Sequence, residues 1–145
     1  MPYVATNYAS NANAPVGKWV CAPTSSIAPS ATVPTENTGS PDYCGQCVSY
    51  VKHVCPTLPQ TSLWKKGSKV KDTTGIAAGT VIATFDDSGN YLGHAAVYVS
   101  KNDTEITVYD QYQSGSSPQP IGQHAIRYGG NGIYNGDKYY IVEKK

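Results

Sequence analysis

The chain has 145 residues, a formal net charge of +1, and only 14% charged residues. A chain of this length is expected to form a single folded unit with its own apolar core. The charges are balanced and form no basic stripe, which argues against nucleic acid as a partner, because phosphate neutralisation dominates such binding. The sequence contains no run of about twenty apolar residues, so a membrane-spanning helix is excluded.

The N-terminal segment, residues 1–42, is rich in Pro, Ser, Thr and Ala. Its composition predicts a mostly irregular arm that lies across the body, residues 43–145, and is anchored by Trp19. Met1 to Ala14 lack the basic start and the apolar centre of a Sec-type signal peptide. Export would therefore depend on a leader removed earlier or on another route.

One helix is predicted immediately after the arm. It begins at Cys47 and ends at Cys55, because Pro56 cannot continue it. Cys47, Val51, Val54 and Cys55 recur at helical spacing, so they are expected to share one face that is directed inward.

The second half of the chain is predicted to be a run of antiparallel strands. Twelve Tyr beside a single Phe, with abundant Thr, favour pleated sheet over a helical bundle. The strands are predicted at residues 80–85, 91–100, 106–112, 126–128 and 138–143, with a loop rich in Gly, Ser and Pro before Ile126. A solvated loop is the interpretation of Lys65, Lys66, Lys69 and Lys71. One main helix packed on such a sheet is an α+β fold.

Cys47 is the candidate nucleophile. It lies in the first turn of the predicted helix, where free N–H groups and the positive end of the dipole favour a thiolate. The same N–H groups can stabilise an oxyanion. Gly45 permits a tight turn and the close approach of a substrate.

His94 and Asp110 are the candidate base and orienting residue. His94 opens a strand after a long turn, and Asp110 lies near the end of the next strand. If these strands pair through a turn around Asn102, Asp110 lies opposite a residue between His94 and Ala96. A carboxylate there can accept the imidazole N–H and fix its tautomer, so the pattern predicts a cysteine hydrolase.

The order of these motifs resembles that of the NlpC/P60 and CHAP cysteine peptidases. Gly45-Gln46-Cys47 opens the helix, Gly93-His94 opens a strand, and Asp110 ends the next. The likeness is especially close to a compact bacterial group of BPSL-type proteins, and residues 59–67 and 79–85 share in it. The resemblance covers roughly residues 44–142.

This resemblance implies a papain-like core that hydrolyses amide bonds in peptidoglycan stem peptides, as an endopeptidase or an amidase. Cys47 would attack, His94 would move the proton, and Asp110 would hold His94. Tyr43 and Tyr50 are expected to line the cleft, and Gln46 and Gln111 to make polar contacts near the oxyanion. No cofactor and no metal ion are expected.

The resemblance also implies where the protein acts. Members take part in wall remodelling, in phage lysis, or in attack on bacteria as effectors delivered by secretion machines. A leaderless chain suits the last role, so secretion or delivery to the periplasm or cell wall is expected. The expected partners are a peptidoglycan peptide and a cognate inhibitor or immunity protein.

Other readings of the cysteines stay open at the level of sequence. Cys44 and Cys47 form a C-x-x-C motif, as in thioredoxin-type redox sites, but no strand and helix precede it. A zinc site would need ligands beyond Cys44 and Cys47, such as a His or Cys55. A reversible Cys44–Cys47 disulfide could also switch a hydrolase off.

The disulfide pairing is only partly constrained. Cys47 and Cys55 are about 12 Å apart along one helix, and a disulfide needs Cα atoms within about 7 Å. Cys21 could pair with Cys44 or with Cys55, which would leave Cys47 free.

A non-enzymatic alternative is a carbohydrate- or wall-binding module whose tyrosine rings stack on sugars. The candidate rings are those of Tyr91, Tyr98, Tyr109, Tyr112, Tyr128, Tyr134 and Tyr139. Such a module would not need an activated thiolate, so the reactivity of Cys47 discriminates between the two functions.

Overall fold

The computed structural model describes residues 2–113 and 117–145. Within them, helix α1 spans Cys47–Val54, and the six strands are β1 Trp64–Lys69, β2 Val81–Phe85, β3 Tyr91–Lys101, β4 Glu105–Tyr112, β5 Gln119–Arg127 and β6 Tyr139–Lys144. Single turns of 3-10 helix span Thr61–Leu63, Val70–Asp72, Gly132–Tyr134 and Gly136–Lys138. No helix in the described part of the chain is long and apolar enough to cross a membrane.

The six strands form one antiparallel sheet in the order β1-β6-β2-β3-β4-β5. All five residues of β2 are buried, because both faces of the sheet are covered. One face packs on α1 through Val81, Ala83, Ala95 and Val97. The other face forms a second cluster with Val70 and Tyr139. The prediction of an α+β fold with one helix on an antiparallel sheet is confirmed.

The inward face of α1 also lies as predicted. Cys47, Val51 and Val54 are buried, and so is Cys55, which caps the helix.

Two elements differ from the prediction. Lys65, Lys66 and Lys69 lie on β1 rather than in a loop, and this strand pairs with β6 at the edge of the sheet. Lysines suit an edge strand because their side chains reach water and discourage pairing with another chain. Such a polar stretch lacks the apolar pattern by which a strand is predicted from sequence. Strand β5 begins at Gln119, inside the segment assigned to a loop before Ile126. Residues 114–116 of that loop lie outside the described residues.

The β3–β4 hairpin sets the register of the candidate site. Val97 pairs with Tyr109 and Tyr98 with Val108. The strands are antiparallel, so one step forward on β4 and one step back on β3 place Asp110 opposite Ala96. The sequence predicts a partner between His94 and Ala96, and Ala96 is within that range. Since side chains alternate between the faces of a strand, Asp110 shares a face with the residue two before Ala96, which is His94.

The described residues of the arm contain no helix or strand element, but backbone and side-chain bonds fasten them to the body. Near the start, the Val81 N–H donates to the carbonyl of Tyr3. Further along, Cys21 forms a disulfide with Cys44, just before α1. Trp19, the predicted anchor of the arm, is buried.

Gln111 of β4 holds the arm at Val20. Its side-chain oxygen accepts the Val20 N–H at 2.9 Å, and its amide nitrogen donates to the Val20 carbonyl at 3.0 Å. The same nitrogen donates to the carbonyl of Gln46 at 2.9 Å, immediately before α1. Gln111 therefore ties the arm, the sheet and the start of the helix together from a fully buried position.

We expect Gln111→Ala to lower the free energy of unfolding by about 1–3 kcal/mol, because it leaves buried backbone groups without partners. Urea unfolding followed by circular dichroism measures the change. Gln123→Ala, at an exposed position on β5, is the matched control and should have little effect. Equal stability of the two variants would contradict this role for Gln111.

Candidate active site

Cys47 is the first residue of α1. The turn before it depends on Gly45, whose φ of 76° favours glycine. A Cβ atom at Gly45 would also lie 2.6 Å from the Gln113 side chain. The cap residue Gln46 makes no side-chain bond to the helix, so the first N–H groups of α1 are not capped by it. The thiol of Cys47 thus lies at an electropositive helix end.

His94 is positioned by its neighbours in the chain and by Thr84. Gly93 has a φ of 107°, and a Cβ there would lie 2.9 Å from the Thr84 hydroxyl oxygen. That oxygen accepts the His94 N–H at 3.0 Å, while its hydroxyl donates to the Leu92 carbonyl. Buried Thr84 therefore fixes the backbone on which the imidazole stands, a contribution that the sequence analysis missed.

Asp110 completes a buried chain of three side chains. Its Oδ2 lies 2.8 Å from Nε2 of His94, and both residues are 2% exposed. The Cys47 thiol hydrogen bonds to the same imidazole, and since Nε2 is engaged by the carboxylate, Nδ1 is the ring nitrogen that remains available to it. The structure thus brings together the three residues that the sequence analysis singled out for catalysis.

The charges of these groups depend on one another. Burial alone would raise the pKa of the Cys47 thiol, but the charge and hydrogen bond of His94 lower it below the ordinary value of 9.0. Hydrogen bonds from the Tyr91 hydroxyl and the Ala95 N–H act in the same direction. Burial opposes charge on His94 too, yet Cys47 and Asp110 together raise its pKa to about 10. At neutral pH His94 is therefore protonated, and its positive charge favours the thiolate form of Cys47.

Asp110 is the fixed anion of the site. Burial favours its neutral form, but hydrogen bonds and charge from His124 and His94 hold its pKa below the ordinary value of 3.8. The carboxylate therefore stays ionised at neutral pH and favours the protonated imidazole.

Tyr91 is a second residue that the sequence analysis missed as part of the site. Its hydroxyl lies 3.3 Å from the Cys47 sulfur, and its ring makes an edge contact with Trp64. Burial, with the nearby Cys47, raises the Tyr91 pKa well above its usual range. The hydroxyl therefore keeps its proton and can donate to the thiolate. The sequence analysis considers Tyr91 only as a candidate sugar-stacking ring, because no local pattern indicates that its hydroxyl reaches Cys47.

Cys47 opens onto a cleft of about 660 Å³. Tyr43 and Gln46, both predicted near the substrate, line this cleft, together with Tyr91 and Lys52. Tyr43 is 46% exposed, so its ring is free to contact a ligand. Among the described lining residues, Lys52 carries the only cationic side chain.

Tyr50 and Gln111 lie elsewhere, although both were expected at the site. Tyr50 is fully buried beneath α1, and its hydroxyl donates to the carbonyl of Tyr8 at 3.0 Å. Gln111 is fully buried as well, with its amide engaged by the arm and by Gln46. Gln111 follows Asp110 directly, and adjacent residues on a strand point to opposite faces of the sheet. Tyr50 shares the inward face of α1 with Cys47, but it lies one turn further along the helix, inside the core.

The remaining cysteines do not favour a redox or zinc site. Cys44 is bonded to Cys21, so the C-x-x-C motif contains no internal disulfide. Cys55 is buried, and burial raises the pKa of its thiol. Within residues 2–113 and 117–145, no three His, Cys, Asp or Glu residues are grouped to hold a metal ion.

Other surface features are less suited to chemistry than the cleft. A cavity of about 690 Å³ between the arm and the end of α1 is lined by His53 but not by Cys47 or His94. Tyr98 and Tyr139 are buried, so their rings cannot stack on a sugar.

A buried Cys-His-Asp chain at the start of a helix, open to a cleft, defines the class of cysteine hydrolases. Comparisons with known proteins agree with this class. A family model described as "Domesticated amidase effector 2" matches residues 9–142. The chain therefore belongs to the domesticated amidase effector 2 family, and the prediction of an amidase-type enzyme is confirmed. The match also includes most of the arm.

Individual relatives agree with this family. "Domesticated amidase effector 2" from Ixodes scapularis is 42% identical over 104 residues, which cover 68% of this chain and 70% of that protein. "Type VI secretion amidase effector 2 protein" from Salmonella typhi is 33% identical over 103 residues, 66% of this chain and 74% of that protein. The solved structure of "Type 6 secretion amidase effector 2 (Tae2)" has a TM-score of 0.61 at 30% identity, covering 69% of this chain and 81% of that one.

We expect iodoacetamide to alkylate Cys47 rapidly near neutral pH, because its lowered pKa increases the fraction of the thiol that is ionised. The rate should fall only as the pH drops through that lowered pKa. Cys55, the other free cysteine, is the internal control and should react slowly. Peptide mass spectrometry distinguishes the two sites, and slow reaction of both would contradict an activated Cys47.

Proposed function

We propose that this protein is a cysteine amidase of the NlpC/P60 and CHAP kind, which hydrolyses amide bonds in peptidoglycan stem peptides. The observation that carries the proposal is the buried chain Cys47–His94–Asp110, whose thiol opens onto the cleft. The names of the relatives, all amidase effectors, support the reaction class.

The first half of the proposed reaction forms an acyl-enzyme. The Cys47 thiolate attacks the amide carbonyl carbon, and a tetrahedral oxyanion develops. The C–N bond then breaks as the His94 imidazolium gives its proton to the leaving amine. A thioester on Cys47 remains, and His94 is left neutral with its Nδ1 lone pair free.

The second half releases the acid product. His94 takes a proton from water, and the resulting hydroxide attacks the thioester. The Cys47 thiolate leaves, and the carboxylic acid departs from the cleft. Throughout, Asp110 accepts the His94 Nε2–H and keeps Nδ1 directed at the reacting atoms.

The oxyanion is proposed to lie near the start of α1. The backbone N–H of Cys47 belongs to the first turn, where helix N–H groups lack intrahelical acceptors. Gln46 lines the same cleft, and its side chain is held by a 2.9 Å bond to the Thr38 carbonyl. The burial of Gln111 leaves it a supporting role behind Gln46 rather than contact with substrate.

Lys52 and Tyr43 are proposed to bind the stem peptide. Such peptides carry free carboxylates, and the side chain of Lys52, the one cation among the described lining residues, attracts them. The exposed ring of Tyr43 offers an apolar surface with a polar edge. Lys52 lies one turn beyond Ser49 on α1, within reach of the same opening.

We further propose that the protein acts outside the cell that makes it. Relatives named as type VI secretion effectors support delivery to the periplasm or wall of a target bacterium. A producing cell with a wall of its own would then need a cognate inhibitor, and a protein that fills the cleft at Cys47 would serve.

Cys47→Ala should abolish digestion of purified peptidoglycan, and His94→Ala should slow it by about 100- to 10,000-fold, while both remain folded. Mass spectrometry of the released muropeptides measures turnover and identifies the bond cut. Lys52→Ala is the binding control, which should raise KM and leave kcat near that of the unaltered protein. Undiminished digestion by Cys47→Ala would refute the proposed function.

A further inference from the structure

His124 contacts the candidate site from a strand that contributes none of the three residues above. Its Nδ1 hydrogen bonds to Oδ1 of Asp110, while His94 occupies Oδ2. The carboxylate is 2% exposed, and the His124 side chain is 20% exposed. Asp110 is thus held by one imidazole on each oxygen.

The sheet register makes this contact possible. His124 on β5 pairs with Val108 on β4, so it is the diagonal neighbour of Asp110 on the same face. Gly122 lies directly across from Asp110 and places no side chain there. The imidazole of His124 can therefore lean over that position and reach the carboxylate.

We propose that His124 is a positioning residue, which orients the Asp110 carboxylate and keeps it ionised so that His94 is held as an imidazolium beside Cys47. This inference rests on the proposed function for its kinetic consequence. A carboxylate out of water needs hydrogen bonds on both oxygens to remain an anion. His94 satisfies one oxygen, and His124 supplies the donor for the other.

Other groups around the carboxylate do not replace this donor. Tyr50 of α1, Tyr112 of β4 and Tyr139 of β6 lie close enough to interact with the charge of Asp110. Burial raises the pKa of each, the hydrogen bond to Tyr134 adds to it at Tyr112, and the Asp110 charge acts in the same direction, so the three hydroxyls stay neutral. Within the described residues, the two histidines are the side chains that hydrogen bond to Asp110.

His124 approaches the site from behind rather than through the substrate cleft. Asp110, His94 and His124 border a separate cavity of about 390 Å³, and none of its described lining residues also lines the cleft at Cys47. A change at His124 should therefore alter the chemistry at the thiol without altering contacts to the substrate, so kcat changes and KM does not.

The test compares His124→Asn with His124→Leu. The Asn amide nitrogen can stand where Nδ1 stands and donate the same hydrogen bond, whereas Leu has a similar shape and no donor. We expect Leu to lower kcat on the order of tenfold with KM unchanged, and Asn to stay within about twofold of the unaltered protein. His124→Val, which suits a strand, serves as a second donor-free variant if Leu does not fold.

Alkylation of Cys47 gives a readout that needs no substrate. In His124→Leu, the pH at which the alkylation rate falls on the acid side should rise by about one unit, because a tenfold change corresponds to one pKa unit. In His124→Asn, that pH should be unchanged. In an Asp110→Asn background, His124→Leu should add nothing further. Equal effects of Asn and Leu, or an undiminished effect in the Asp110→Asn background, would overturn the proposal. Failure of the unaltered protein to digest peptidoglycan refutes the proposed function alone and leaves the alkylation comparison decisive for His124.

Discussion

The candidate site depends on keeping charges stable where water is excluded. The ionisable side chains of Cys47, His94 and Asp110 lie in a row, and burial opposes a charge on each of them. Each charge persists because its neighbour has the opposite sign and bonds to it. Removing one member leaves the others as uncompensated buried charges, so the three act as a unit. Tyr91 and His124 extend the row at its two ends.

The turns, strands and arm of the fold hold the residues of this row in position. The tight turn at Gly45 places Cys47 at the start of the helix. Gly93 lets the backbone pass close to the Thr84 hydroxyl, which accepts the His94 N–H. The β3–β4 register delivers Asp110. On the arm, the disulfide of Cys21 and the amide of Gln111 restrain the segment that precedes α1. The positions of the three site residues are thus fixed by the helix and strands that carry them and by hydrogen bonds from residues behind them, as reactive sites require.

The positions of Cys47, His94 and Asp110 can be predicted from the sequence, because they follow from periodicity and spacing. The helix face of Cys47 and the hairpin register that brings Asp110 to His94 are direct consequences of 3.6- and 2-residue repeats. Strand β1 was not predicted because its lysines are typical of a loop, and an edge strand does not need an apolar face. Gln111 follows Asp110 directly and therefore points to the opposite face of the sheet, whereas Tyr50 lies one helical turn beyond Cys47, inside the core. His124 could not be found from sequence, since its contact runs diagonally between strands whose register depends on a loop.

The ionisation of the Cys47–His94 pair is the central physical claim, and nitrogen NMR of His94 tests it most directly. At neutral pH the account predicts that both ring nitrogens of His94 carry protons and lose that state only on the alkaline side, near a pKa of about 10. In Cys47→Ala the protonated state should be lost at lower pH, because the thiolate that stabilises it is gone. A neutral His94 at neutral pH, unchanged by Cys47→Ala, would contradict the account.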